Sequence, residues 1–271
     1  MRRIFQLTLL ALALATPATA RILHVPTQEP DLATALRLAD RGDTIIVRPG
    51  YYEESGLRLP SGVTIRSILG EGRTIIQGEG EGPVLEVPMG GRGTVVEGLT
   101  FQGGTEGIVL GRSELRIVSC RFLQNTETGI AVATGSQVWL DDCEVRTSPV
   151  GVRVDAEATL NVAGSRFFDN GTGVLFRGTD ARFYRTVLRK NDIALDLDGG
   201  GTVVLGGKDS LGNDIFDNKI LGVRNSGVTV TGSHNFWGWI HCELIEKGIE
   251  GEVPVLPFTN FDHDSTFVEC P

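Results

Sequence analysis

The stretch LRIVSCRFLQNTETGIAVATGSQVWLDDCEV, residues 115–145, states one short pattern twice. Its first eight and last eight residues share a frame: apolar, any, apolar, two variable residues, a small residue, any, apolar. The frame returns as TVVEGLTF (94–101), LNVAGSRF (160–167) and ARFYRTVL (181–188). A second row, Gly107-Ile-Val-Leu, Gly129-Ile-Ala-Val, Gly151-Val-Arg-Val and Gly173-Val-Leu-Phe, repeats every 22 residues. A third row holds Asn125, Ser148, Asn170, Asn191 and Asn218, each just before the glycine step.

Alternation with a period of two marks short strands, and Gly, Asn, Asp and Ser fill the corners between them. A unit this short cannot bury its own apolar face, but it can when stacked on its neighbours at ~4.8 Å per coil. Each position then meets itself from coil to coil. Leu99, Cys120, Cys143, Ser165 and Thr186 are predicted to form one interior ladder and the asparagines another, with side-chain amides bonding along the stack. The predicted fold is all-β: a single-stranded right-handed parallel β-helix with coils of 22 residues. The Leu-x-x-Leu-x-Leu wording of a leucine-rich horseshoe, the competing repeat, is absent.

The ends read differently from the middle. Arg2 and Arg3 precede an apolar run, Ile4 to Ala15, and a small-residue site, Ala18-Thr19-Ala20. That is the wording of a secretory leader cut near Ala20, too short to span a bilayer. Residues 1–20 are therefore expected to be a signal peptide, 21–50 an N-terminal cap, 51–232 the coils and 233–271 a C-terminal capping tail. Within the cap, Glu29 to Arg41 places Leu32, Leu36 and Ala39 on one face, predicting a capping helix that ends at Gly42. The formal charge of −9 argues against nucleic acid as a partner. No later stretch is apolar enough for membrane insertion, and the chain reads as a secreted or periplasmic bacterial monomer.

With these pieces placed, the sequence resembles the pectin-lyase-like superfamily of parallel β-helix proteins. The opening HVPTQEPDLATALRLADRGDTIIVRPGYYEE (24–54) is similar to that of a secreted group within it that includes NosD-like periplasmic proteins. The closing NFWG (235–238) and GEVPVLPF (251–258) resemble the last coil of NosD-like and cell-surface β-helices. This resemblance implies a fold and hardly an activity, because many chemistries share the superfamily.

Asn125-Thr-Glu-x-Gly-Ile followed by Asp141-Asp142-Cys143 resembles a polygalacturonase signature, yet every residue in it has a place in the repeat. The Gly-His-Gly and Arg-x-Lys that such enzymes carry downstream are missing. A pectate lyase would need clustered carboxylates for Ca²⁺. Here the outward row Val109, Ala131, Arg153, Leu175, Asp196 is largely apolar. Asp262-His263-Asp264 is a shortened echo of an epimerase motif, expected in a solvated tail. Asp141 and Asp142 are expected at two corner positions, and Arg121, Glu144 and Arg166 are expected to pair along the stack. No catalytic residue, cofactor or metal site is assigned.

One outward strip invites a binding reading: Arg116, Trp139, Asn161 and Arg182 fall at equivalent positions. An exposed Trp flanked by Arg and Asn suits stacking on a sugar ring, with hydrogen bonds to hydroxyls or a carboxylate. The alternative is that Trp139 packs on the arginine stems as a cation–π pair. Cys242 and Cys270, 28 apart in an exported tail, are expected to form a disulfide. His234, His241 and His263 share that tail without the tight ligand spacing of a metal site. The reading is an exported binding or scaffold module for polysaccharide or cell-surface glycan. The alternatives are a polysaccharide lyase, hydrolase or esterase with an unrecognised site, and a NosD-like accessory protein in metal-enzyme maturation.

Overall fold

The computed structural model describes residues 19–208 and 211–269. The repeat winds into a solenoid with three parallel sheets, of ten, nine and eight strands. One coil shows the pattern. Glu114–Val118 belongs to the ten-stranded sheet, Arg121–Leu123 to the eight-stranded sheet and Thr128–Val132 to the nine-stranded sheet. The chain then re-enters the ten-stranded sheet at Gln137–Asp141, in parallel register with Glu114–Val118. Each strand therefore pairs with its own copy one coil away.

The frame quoted above spans a sharp corner between two sheets. Its turning residue takes a left-handed backbone: Ser119 at φ 49°, Asp142 at 53° and Arg185 at 50°, with glycine at the same place in Gly98 and Gly164. Only one of the two variable residues turns. Asp141, expected at a corner, is the last residue of its strand and faces outward, while Asp142 makes the turn. The reason is steric. One left-handed residue suffices to redirect the chain, so its predecessor keeps the pleat of the strand.

The interior is filled by the inward rows. Phe101, Phe122, Val145, Phe167, Leu188 and Ile215 follow one another in register on the eight-stranded sheet. Phe101 and Phe122 stack with centroids 5.5 Å apart. The glycine row has its own cause. A Cβ on Gly107 or Gly129 would stand 2.6 Å from the carbonyl oxygen of the next glycine in the row, and one on Gly151 only 2.4 Å from that of Gly173. Coils approach too closely there for any side chain. Gly151→Ala is expected to cost about 2–3 kcal/mol by overpacking, read as a lower denaturation midpoint. An unchanged midpoint would show that the coils separate freely at this row.

Polar ladders run beside the apolar rows. Asn170 Oδ1 accepts the Ser148 amide at 3.2 Å, Asn191 accepts that of Asn170 at 3.1 Å, and Asn218 accepts that of Asn191 at 3.1 Å. The corner ladder from Leu99 to Thr186 also continues past the residues identified from sequence. The Thr186 amide donates to Asn213, and the Asn213 amide to Asn235, each at 3.0 Å. Cys120 and Cys143 within that ladder are buried free thiols. Desolvation pushes the Cys143 thiol up to about 12 and raises that of Cys120 as well.

At the N-terminal end, Ile22–Val25 is the first strand of the ten-stranded sheet. The helix that follows is shorter than the sequence suggested, Leu32–Leu38 in place of 29–41. Asp31 caps it, accepting the Thr34 amide at 2.7 Å, and Glu54 accepts the free amides of Leu32 and Ala33 at 2.9 and 2.8 Å. Ala39 is already extended, because the residues after it form a turn around the Asp43 carboxylate. Leu32, Ala35 and Leu36 join the core.

At the other end the tail returns to the last coil. Phe236 bridges to Asp214, Asn235 bridges to Phe258, and a short helix, Cys242–Glu246, follows. Phe216, Phe236 and Phe261 meet edge to face or tilted, with centroids 5.5–5.9 Å apart. Cys270, the expected partner of Cys242, lies outside the described residues. Among the described residues no helix is long and apolar enough to cross a membrane.

Candidate functional site

The outer face of the ten-stranded sheet carries the strip singled out by sequence. Strand register places Arg116 beside Trp139, Trp139 beside Asn161, and Asn161 beside Arg182. Period two turns all four outward, because their neighbours Leu115, Val138, Leu160 and Ala181 fill the core. Val95 and Val204 extend the row at its two ends.

Two expectations about this strip change. Trp139 is half-buried, not fully exposed. Arg116 is also not a free charge, because it reaches diagonally to Asp141, with Nε at 2.9 Å and Nη2 at 2.8 Å from Oδ2. Asp141 stands two residues beyond Trp139 on the same strand, so this ion pair links the strands on either side of the Trp139–Arg116 contact. The cation–π contact described in the structure lies elsewhere, with Arg146 over Phe168 at 5.7 Å.

Beside Trp139 the surface dips into an open cleft of about 400 Å³ lined by Val95, Glu114, Arg116, Trp139 and Asp141. Both acids on its wall are partnered. Asp141 is held by Arg116, and Glu114 lies 3.4 Å from Arg92. Asn161 and Arg182 continue the row on the far side of Trp139 and do not line the cleft. A larger hollow of about 870 Å³ lies where the tail crosses the last coil, walled by Val228, Val230, Val253 and Val255. It is the seam of the C-terminal closure, and the Asn225 side chain on its wall is engaged by the backbone of Val228 and Glu252.

Tyr184 also lies on this face, a residue that the sequence frame left among its variable positions. Register aligns Asp141, Ala163 and Tyr184 in the outward row next to Trp139. Tyr184 is half-buried on the same face, two coils along from Trp139, with the small Ala163 between. Its position in the frame, equivalent to Asp141, was the available signal.

Other expected groupings resolve differently. Arg121, Glu144 and Arg166 are in register, but the ion pairs go elsewhere: Arg121 to Glu71 at 3.2 Å and Glu144 to Arg146 at 3.2 Å. Glu71 stands in the turn before strand Thr74–Gln77, and Arg146 is two residues from Glu144 on the same strand. His263 does not sit in a solvated tail. Its Nε2 lies 2.8 Å from Asp214 Oδ1 and its Nδ1 2.8 Å from Thr259 Oγ1. Burial raises the Asp214 carboxyl, while the hydrogen bond from His263 pulls it back down. Thr259 is 2 % exposed, so this trio clasps the tail and presents no accessible hydroxyl. His234 bonds its neighbour Ser233 at 2.8 Å. Among the described residues no group of three or more His, Cys, Asp or Glu side chains is placed to hold a metal ion.

Comparison with known proteins adds to this geometry. The family described as "right handed beta helix region" matches residues 87–243, more than half of the chain, and the chain belongs to it. Its fold is that of the pectin-lyase-like superfamily. It is similar to a pectate lyase at 13% identity and a TM-score of 0.50, covering 89% of this chain and 78% of that one. It is also similar to the pectin methylesterase of Aspergillus niger at 10% identity and a TM-score of 0.52, covering 80% and 87%. At these identities the likeness is one of fold. No match is found among curated protein sequences.

Proposed function

We propose that the protein binds an extended polysaccharide across the outer face of its ten-stranded sheet, with Trp139 as the stacking surface. The observation that carries this reading is the half-buried Trp139 in register with Arg116, Asn161 and Arg182 at the wall of an open cleft. A rigid aromatic on a flat sheet offers contact area at little entropic cost, and it anchors a sugar face while polar neighbours satisfy hydroxyls. The β-helix fold is shared with polysaccharide-active enzymes, which accords with a carbohydrate-related role.

On this reading the residues of the strip divide the work. Arg116 is spent on Asp141, so it holds the cleft wall in shape, and Arg182 is the arginine of the strip that meets an acidic sugar. Asn161 serves hydroxyls between them. Tyr184 supplies a second ring two coils from Trp139, about 10 Å along the axis. The row from Arg116 to Arg182 covers three coil steps, about 14 Å, a length suited to a three- to four-residue oligosaccharide. Since both acids at the cleft are engaged by arginines, the site is built for recognition more than for proton transfer. The leader reading of residues 1–20 supports an encounter outside the cytoplasm, in the periplasm or beyond the cell.

The test is a glycan array followed by titration of the best oligosaccharide. Trp139→Ala is expected to weaken binding by ~30-fold or more, about 2 kcal/mol, as for an aromatic anchor. Its melting temperature should stay within about 2 °C of the parent, as befits a partly exposed side chain. Undiminished binding by the stable variant would refute this face. Unsaturated products, new reducing ends or methanol released from uronate polymers would replace binding by catalysis.

A further inference from the structure

Among the described residues Asp43 is the buried charged side chain, at 3 % exposure, and most of its partners come from one residue. Its Oδ1 accepts the backbone nitrogen of Arg21 at 2.7 Å. Its Oδ2 accepts Arg21 Nη2 at 2.7 Å, Arg21 Nε at 3.1 Å and the Asp40 amide at 2.9 Å. Arg21 Nη2 also bonds Asp40 Oδ2 at 2.9 Å and the Leu38 carbonyl at 2.8 Å. The carbonyl of Arg21 receives the Thr44 amide at 2.9 Å, which fixes its backbone just before the first strand. Immediately before this anchor, Thr19 and Ala20 are exposed.

We propose that cleavage between Ala20 and Arg21 creates an α-ammonium group that Asp43 binds, so that maturation completes an ion-paired N-terminal lock. The proposal rests on the leader reading of residues 1–20 and is independent of the glycan-binding face. Hydrolysis of the Ala20–Arg21 peptide bond consumes one water, leaves a carboxylate on Ala20 and frees the Arg21 nitrogen, which is protonated at neutral pH. That nitrogen already stands 2.7 Å from the carboxylate, so the lock forms without rearrangement.

Charge counting explains why the site favours the cleaved chain. Before cleavage, two carboxylates, Asp40 and Asp43, face one cation, the Arg21 guanidinium. After cleavage the α-ammonium makes a second cation, and the cluster is neutral. A neutral amide donor becomes a charged one, roughly doubling the strength of its hydrogen bond. Asp43 is suited to this, since the Asp40 amide foremost, together with the Arg21 amide and guanidinium, holds its carboxyl down to about 2.

The consequence for pH follows from linkage. An α-amine bound by Asp43 titrates above its ordinary range of about 7.7–8.0. Its contribution is complete below that range and is lost as the pH rises through the raised value. The groups facing it are Asp40, Asp43 and the Arg21 guanidinium.

Two chains with defined first residues, Arg21 and Ala20, can be released from a cleavable fusion and melted side by side. At pH 7 the Arg21 chain is expected to melt about 3 °C or more higher, with the gap closing towards pH 10. Asp43→Asn should erase the difference in both chains. If that variant does not fold, selective acetylation of the Arg21 α-amine should lower the melting temperature to that of the Ala20 chain. The exported protein should have the mass of a chain beginning at Arg21. Equal melting of the two chains at pH 7, or an exported chain with another first residue, would overturn the proposal.

Discussion

Asn191→Ala is expected to lower stability by about 4 kcal/mol, the sum of several buried polar groups losing their partner. Asn191 is fully buried. Its Oδ1 accepts both the backbone and side-chain nitrogens of Asn170, at 3.1 and 3.0 Å. Its Nδ2 donates to the Phe167 and Arg189 carbonyls at 3.0 and 3.1 Å and to Asn218 Oδ1 at 3.2 Å. Truncation strands the Asn170 amide and the Phe167 carbonyl inside the buried core. A solenoid transmits strain only to neighbouring coils, so hydrogen exchange should quicken first around Asn170 and Asn218. A loss below about 1 kcal/mol would mean that water enters the ladder and satisfies these groups.

Phe167→Ala carries an expected cost of about 3–5 kcal/mol, the transfer energy of a benzyl group plus the cavity it leaves. The side chain is fully buried, and register places it between Val145 and Leu188. Neither neighbour is large enough to fill the gap, and the coil spacing is fixed by continuous backbone ladders above and below. Denaturant midpoints at constant slope give the measurement. A shift worth less than about 1 kcal/mol would show that the coils collapse onto the space. The two substitutions should not add. Asn191 holds the carbonyl of Phe167 itself, and residues in contact through a shared backbone group couple. A double variant that loses less than the two single losses together would measure that coupling.

The repeat made much of this protein legible before any coordinates. In a parallel solenoid a residue's principal neighbour is its own equivalent one coil away, so spacing along the chain converts directly into contact in space. The row of Gly107, Gly129, Gly151 and Gly173 follows from a 22-residue period, and the asparagine ladder and the outward set Arg116, Trp139, Asn161 and Arg182 follow from the sequence frames that recur beside it. The chemistry of each row follows too, since glycine is required where carbonyls stand under 3 Å from a would-be Cβ.

What the period does not carry is any contact that leaves its row. Arg116 reaches two positions along and one coil over to Asp141, and so changes from a ligand-facing charge into a wall of the cleft. Arg121 turns to Glu71 instead of Glu144 for the same reason, because a long flexible side chain samples several near neighbours and settles on local geometry. The loop after Gly206 interrupts the frame itself, between Leu205 and Asn213, which hid the last two rungs of the corner ladder from a search for that pattern. The closures at the ends, Arg21 on Asp43 and His263 on Asp214, join residues 22 and 49 apart that have no copies elsewhere. The sequence by itself determined the stacking, because repetition makes like meet like. Only the tertiary structure decided which charges remain free on the outer face and how the ends close, because side-chain reach and unique contacts leave no trace in a period.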